Sequence, residues 1–469
     1  MQGLAYYNPA MNAEQLFSRY TPIIPDFKTF MEFIHKPLKQ SFRVNTLKAK
    51  KERILDLIKD HKAQPVPFYQ DGFYLTDSRG IGLHFTHAIG MIYAQEMASM
   101  VPALVMQPRP GEVILDLCAS PGSKTTQISQ LMGNTGLLVA NEINPRRMAQ
   151  LMHNVKRCGL INECIISCKA DRLSQMLPDY FDRILIDAPC SLEGTIRKSR
   201  AVLDHWGLKN INHMAWIQKG LVVSGFRLLR PGGTMVYSTC TVAPEENEAV
   251  IDYLIKKFPE AEIMPVQIPQ FTTRPGITKW LNETFDERVK QCARVMPQDN
   301  DTEPFFIAQI TKSGVHKERI GYPGRIEYKE QVIDLLKRQY GLLPEKFQDY
   351  AVFQNRDSYF ISTPTAFSFT KMKVLRKGLE IGKIYDHELK PDNDFVQVFA
   401  PDATRDCYAA KDWELKRFLK GDKITVTGIE PGFVIITHQK LPVGVGRCNG
   451  REIKSEILRE RRTKETRRR

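Results

Sequence analysis

An α/β fold, in which helices wind over both faces of a mostly parallel sheet, is predicted for residues 106–312 by three observations. Short apolar runs recur at regular intervals, stretches of helical spacing separate them, and the first run opens directly into a glycine-containing loop. Such alternation makes βαβ units, and these require a parallel sheet covered on both sides.

The elements follow in order. Strands are expected at 113–117, 137–140, 164–168 and 183–187, then at 234–238 and 305–309. Helices are expected near 124–132, 145–158, 212–230 and 245–258. Pro145 after Asn144, and Pro244 before E-E-N-E, read as helix starts, because proline suits a first turn and early carboxylates complement the helix dipole. Upstream, residues 1–105 read as a mixed α+β segment, with a helical pattern at 51–60 and an extended S-F-R-V-N-T-L at 41–47. Downstream, 313–330 reads as a Gly/Pro/basic linker. A helical segment and β-type runs at 394–399, 424–427 and 433–437 then make 331–450 a small β-rich domain. The last stretch, 451–469, carries nine Lys/Arg against four Glu and reads as a basic tail.

Composition bounds the function. The chain has 469 residues, 42% of them hydrophobic and 26% charged, which is globular rather than disordered composition. No run approaches 18 apolar residues, and the start M-Q-G-L-A-Y-Y has no basic and then apolar leader, so neither a membrane span nor secretion is expected. Nine cysteines, an odd number in a long chain, fit reduced thiols in the cytoplasm better than a disulfide framework. The net charge of +14 points toward a polyanionic partner.

Four predicted strand ends carry a glycine loop or a carboxylate. The first is D-L-C-A-S-P-G-S-K-T, Asp116 to Thr125, where Gly122 permits close backbone approach of a ligand. A phosphate-binding loop of the G-x-x-x-x-G-K-[ST] type would need a second glycine. The second strand ends in N-E-I-N, with Glu142 at the spacing from Gly122 from which a carboxylate can accept both hydroxyls of a ribose. Asp171 follows the third strand, placed to reach the same nucleoside's base, and Asp187 ends the fourth. Together they outline a crevice for a cationic or polyhydroxylated nucleoside. Cys190, in A-P-C-S, and Cys240, in S-T-C-T, follow neighbouring strands and can meet in that crevice, where a thiolate suits attack on an electron-poor carbon. The cysteines at 158, 164, 168, 292, 407 and 448 read as small buried hydrophobes, and no spacing among them argues for a metal.

In order and spacing, D-L-C-A-S-P-G-S-K-T, N-E-I-N, D-A-P-C-S and P-G-G-T-M-V-Y-S-T-C-T-V-A-P-E-E-N-E resemble the RNA cytosine-5 methyltransferases of the RsmB/RsmF/NSUN family, and most closely its bacterial RsmF (YebU) group. R-V-N-T-L-K and Y-A-Q-E-M-A-S match stretches upstream of that family's catalytic domain, and T-H-Q-K-L-P-V-G-V-G-R-C is similar to its C-terminal PUA-like domain. The resemblance implies a Rossmann-like class I methyltransferase core and S-adenosylmethionine as cofactor. The cofactor site would comprise Cys118, Ala119, Ser120, Pro121, Gly122, Ser123, Lys124, Glu142, Asp171 and Asp187. Cys240 would be the nucleophile, Cys190 the second cysteine that aids proton removal or product release, and Asp187 would hold the target base. The substrate implied is a cytosine of RNA, foremost small-subunit (16S) ribosomal RNA or an assembly intermediate of that subunit; no obligate protein partner is implied. Two departures stand out: A-S-P-G-S-K where the family often has A-A-P-G-G-K, and Leu192 where it usually has glycine after P-C-S.

Two basic clusters with aromatics are expected to contact the RNA: Lys36, Lys39, Arg43 and Lys48 near Phe42, and Arg405, Lys411, Lys416 and Arg417 near Tyr408 and Trp413. The basic tail would add sequence-blind affinity. The competing readings are a transfer-RNA cytosine-5 methyltransferase, a non-catalytic RNA-binding assembly factor, and a DNA cytosine methyltransferase, in which Cys190 would be the attacking thiol.

Overall fold

The computed structural model describes residues 12–76, 81–204, 206–315 and 327–457. Most of the expected linker (316–326) and the chain from 458 onward lie outside the described residues.

The central sheet is built on β1 (Val113–Asp116), β2 (Leu137–Asn141), β3 (Glu163–Ile166), β4 (Phe181–Asp187) and β5 (Leu229–Thr239). All five run parallel, in the spatial order 3-2-1-4-5. Beyond β5 the sheet turns antiparallel. β6 (Ala261–Met264), β7 (Arg274–Pro275), β8 (Ala293–Val295) and β9 (Phe305–Lys312) complete that edge, with β9 paired to β5, β8 and β6. The helices are α1 (Ser123–Leu131), α2 (Pro145–Cys158), α3 (Ala170–Met176), α4 (Leu208–Leu228) and α5 (Glu248–Lys257).

Alternation along each strand decides which helix each residue meets. Val113, Leu115, Ile184, Ile186, Met235 and Tyr237 face one core with α3, α4 and α5, where Leu173, Val222, Phe226 and Leu254 lie. Ile114, Leu138, Ala140, Leu185 and Val236 face the other, with α1, α2 and the helix Met97–Met106. Asn144 caps α2 by accepting from the N–H groups of Arg146 and Arg147, Pro145 opens the helix, and Gly159 closes it in the left-handed region.

Pro244, however, does not open a helix. Residues 244–247 form turns, and α5 starts only at Glu248, because Glu246 and Asn247 are drawn into bonds with neighbouring loops. α3 was not anticipated; it is one short helix with Leu173 and Ser174 buried.

The flanks are tied to the core and to each other. Residues 41–94 contribute a four-stranded antiparallel sheet with the order Ala63–Val66, Tyr69–Leu75, Ser41–Val44, Ile92–Ala94. Its Phe42, Val44, Phe73 and Ile92 share one apolar cluster with Leu415, Phe418, Ile436 and Ile453 of the C-terminal region. Two cations expected at an RNA surface act inside this junction. Arg43 is buried and donates to Thr126 (2.8 Å), Gln95 (3.3 Å) and Gln130; Lys48, also buried, donates to the Ile89 carbonyl (2.7 Å) and to Gln397. Neither can meet RNA there. Lys36, Lys39, Arg405, Lys411, Lys416, Arg417 and Trp413 are exposed.

The C-terminal region holds two sheets, one of four strands within 351–391 and one of five within 407–455. The run at 394–399, expected to be extended, is the helix Asn393–Phe399. Asp392 caps it by accepting from the Asp394 N–H, and Phe395, Val396 and Phe399 form a helical rather than an alternating face. Glu452–Ser455 is the strand that joins the five-stranded sheet by pairing with Leu441–Cys448, so the segment expected as a tail begins inside this sheet. Cys168 and Cys407 are half-buried rather than buried.

β10 (Arg376–Lys377) crosses over to pair with β3, and Arg376 donates to the buried Glu163 at 3.1 Å. The second oxygen of Glu163 has no hydrogen-bond partner, and burial outweighs the guanidinium, pushing this carboxyl up to about 7 from 4.5. The folded state therefore binds a proton that the unfolded chain has released between pH 4.5 and 7, and stability falls as pH rises through that window. Glu163→Gln should reduce the loss of stability between pH 5 and pH 8 by about 3 kcal/mol, measured by urea midpoints at the two pH values.

No helix of the described residues is long and apolar enough to cross a membrane.

Candidate active site

The parallel register sets Asp187 opposite Ser238, so the loops leaving β4 and β5 emerge side by side. They carry Cys190 and Cys240, whose sulfurs lie 3.3 Å apart. The hydrogen bond to Cys240, together with burial, holds the Cys190 thiol well above the usual range. Cys240 is the more accessible of the two.

Both loops are fixed from behind. Glu193, fully buried, accepts from Thr241 Oγ1, Tyr20 Oη and Trp206 Nε1, each at 2.6 Å. Glu246 accepts from the Ser191 N–H at 3.0 Å and from Gln218 at 2.8 Å, and Asn247 donates to the Thr241 carbonyl. Burial pushes Glu246 up to about 7. Gly194 donates its N–H to the Cys240 carbonyl at 2.9 Å.

The loop between β1 and α1 forms the facing wall. Gly122 sits at φ +102°, in the left-handed region where glycine carries no steric penalty, and precedes the first turn of α1. The loop is pinned to α2: Ser120 donates to the Arg147 carbonyl (2.8 Å), Arg147 donates to the Ser120 carbonyl (2.7 Å), and Asn154 donates to that of Pro121 (2.8 Å). Lys124 spans the cleft, donating to Asp187 at 2.7 Å and to Ser99 at 2.9 Å. Ser238 donates to the other Asp187 oxygen at 2.9 Å. Behind them Asp116 takes Thr125 at 2.7 Å, and burial pushes its carboxyl up to about 7.

These walls enclose a cleft of about 620 Å³ lined by Ser120, Pro121, Ser123, Lys124, Asp187, Cys190 and Cys240. Cys118, Ala119 and Gly122 lie along the same loop without lining it. Two predicted residues stand apart from the cleft wall. Glu142 is buried at the end of β2, with one oxygen accepting the Asn144 N–H (2.8 Å) and the other 3.6 Å from Arg147. Asp171 is exposed in the first turn of α3.

The cleft also contains residues that the sequence reading did not single out: Glu96, Ser99, Lys198, Met214, Glu303 and Phe305. Glu96 and Ser99 lie in the Y-A-Q-E-M-A-S stretch, which was a signal of similarity but not of location. Glu303 had no signal at all.

Leu192 adopts φ +63°, so leucine occupies the left-handed conformation that suits glycine. The loop geometry is kept at a cost of about 1 kcal/mol. Relief of that strain and the added freedom of an unfolded glycine nearly cancel, so Leu192→Gly should leave stability within about 1 kcal/mol of the parent in denaturant titrations.

Family models match the chain in three places: 16S rRNA methyltransferase RsmB/F over 103–311, the N-terminal domain of 16S rRNA methyltransferase RsmF over 14–97, and the methyltransferase RsmF PUA domain over 406–463. Ribosomal RNA small subunit methyltransferase F of Pectobacterium atrosepticum is 30% identical, over 97% of each chain. The tRNA (cytosine(49)-C(5))-methyltransferase of Pyrococcus abyssi is 38% identical over 64% of this chain and 96% of its own length. Among solved structures, a methyltransferase homolog protein from Pyrococcus horikoshii superposes with a TM-score of 0.56 at 33% identity, covering 64% of this chain and 95% of that one. With a full-length relative at that identity, and the paired thiols where its sheet predicts them, the chain belongs to the RsmB/F family of 16S rRNA methyltransferases.

Proposed function

We propose that the chain methylates carbon 5 of a cytosine in small-subunit ribosomal RNA, in the cytoplasm, with S-adenosylmethionine as cofactor. The observation that carries this reading is the Cys190–Cys240 pair, 3.3 Å apart in a cleft that Lys124 and Asp187 also line. The strand-end residues fit the cofactor chemically. Gly122 permits close backbone approach and Asp187 lines the cleft, while Glu142, at the end of β2, and Asp171, in the first turn of α3, lie beyond its wall on the side where ribose and base would extend. When bound, the cofactor supplies an electrophilic methyl group.

The chain's own residues do the rest. Carbon 5 of cytosine is a poor nucleophile until a thiolate adds to carbon 6 and makes the ring enamine-like. Cys240, the more accessible thiol, is the one that adds. Asp187, oriented by Lys124 and Ser238, holds the amino and ring-nitrogen edge of the base as charge develops there. The Cys190 thiol, hydrogen-bonded to Cys240, stabilises that sulfur as it leaves. The target base must be out of its stack to enter, so the substrate is a looped or single-stranded cytosine. The catalytic residues belong to 106–312, while 1–105, 331–450 and the basic end hold RNA through exposed cations such as Lys36, Lys39, Lys411 and Arg417.

Similarity over the full length, flanks included, favours ribosomal RNA. The higher identity to a transfer-RNA enzyme over the catalytic part favours a second reading, a transfer-RNA cytosine. Bisulfite sequencing of RNA from cells lacking the protein separates them. Loss of one 5-methylcytosine from small-subunit ribosomal RNA supports the first, loss from transfer RNA the second, and loss from neither refutes both.

A further inference from the structure

Removing the carbon-5 proton requires an acceptor, and most carboxylates around the two thiols are already engaged. Asp187 is shared by Lys124 and Ser238, Glu246 serves Ser191 and Gln218, and Glu193 takes three donors. Glu303 differs. It lines the cleft with both cysteines, it is 4% exposed, and its Oε1 has no hydrogen-bond partner; Glu246 Oε1 is also without one, but Glu246 does not line the cleft. An unsatisfied buried carboxylate oxygen costs stability, and in a residue that lines the cleft this cost argues for a role in the chemistry.

Two observations place Glu303 near Cys240. β9 runs antiparallel to β5 with Phe306 opposite Thr239, so the chain entering β9 passes the Cys240 loop. The carbonyls of Cys240 and Pro304 also lie 2.6 and 2.7 Å from one point, the position a Cβ on Gly194 would take. Behind Glu303, Glu96 accepts its backbone N–H at 3.2 Å and that of Ser99 at 3.1 Å, which holds the segment against the cleft wall. Glu96, Lys198, Arg197 and Lys124 are the charged groups that face it. Burial and the neighbouring Glu96 push Glu303 up to about 7, suited to accepting a proton near neutrality. Cys190, kept protonated by its own surroundings, is a poor acceptor.

We propose that Glu303 is the catalytic base that takes the carbon-5 proton after methyl transfer. The C5–H electron pair forms the C5=C6 double bond, the C6–S bond breaks with its pair returning to Cys240 as thiolate, and the proton moves to the ionised Glu303 carboxylate, which later releases it to water. Glu96 is the positioning residue. This inference rests on the cytosine-5 reading above.

The test uses full-length protein, S-adenosylmethionine labelled in the methyl group, and unmodified small-subunit ribosomal RNA and transfer RNA. Glu303→Gln should still transfer methyl but stall before elimination. Turnover should fall by ~10²–10⁴-fold while a labelled protein–RNA adduct accumulates on denaturing gels. Glu303→Asp should recover part of the turnover and deplete the adduct. Normal turnover by Glu303→Gln would overturn the proposal. So would loss of both product and adduct in a variant that melts like the parent. If the unsubstituted protein forms no 5-methylcytosine in either RNA, the functional reading itself fails and takes this inference with it.

Discussion

Cys240→Ala should abolish methyl transfer and leave no covalent RNA adduct, whereas Cys190→Ala should transfer methyl but accumulate the adduct. That asymmetry is the result expected from the geometry. The sulfurs are 3.3 Å apart, but Cys240 is the more accessible, while Cys190 is buried and held as a thiol. Loss of the attacking sulfur removes the covalent path altogether, and activity should fall by at least ~10⁴-fold. Loss of Cys190 leaves addition intact and withdraws only the hydrogen bond that eases departure of the Cys240 sulfur. Denaturing gels of each variant with labelled cofactor and RNA distinguish the two cases. An adduct formed by Cys240→Ala would reverse the assignment, with Cys190 attacking as the DNA-methyltransferase reading supposed.

A second large loss is expected from a residue with no reactive atom. In Gly194→Ala the added Cβ would lie 2.6 Å from the Cys240 carbonyl oxygen and 2.7 Å from that of Pro304. Both are backbone atoms, so neither can swing aside as a side chain would. One of the two loops must move, and the Gly194 N–H bond to the Cys240 carbonyl weakens with it. Overpacking of this kind costs about 1–3 kcal/mol of stability. A displacement of about 1 Å at the nucleophile costs roughly 10²-fold in rate. Turnover should therefore fall at least that far while cofactor binding, centred on the opposite wall, changes little. Equilibrium binding of the cofactor alongside single-turnover rates tests the split, and parallel losses in both would contradict it.

How far the sequence could be read depended on how far apart the partners lie. The β1–α1 loop and the start of α2 were legible because Gly122, Asn144 and Pro145 act locally, through their own dihedral angles and caps. Cys190 and Cys240 were legible because each follows a strand, and neighbouring parallel strands end together. Arg43 was misread as a surface cation because its partner Thr126 lies 83 residues away. Glu303 carried no signal, since the Glu96 that holds it is 207 residues upstream. The run 394–399 failed for a different reason: V-Q-V alternates like a strand, and only the Asp392 cap and the spacing of Phe395 to Phe399 decide for a helix.

The apolar cluster that joins Phe42, Phe73 and Ile92 to Leu415, Phe418 and Ile453 sets a schedule for biosynthesis. The N-terminal sheet leaves the ribosome long before the residues that cover it exist. At ~5–20 residues per second, the stretch between Leu75 and Ala410 takes on the order of 20–70 s to translate. Through that interval the first sheet shows water, or a chaperone, the face it will later bury. Nascent chains halted before residue 410 should thus be the most aggregation-prone species this protein makes.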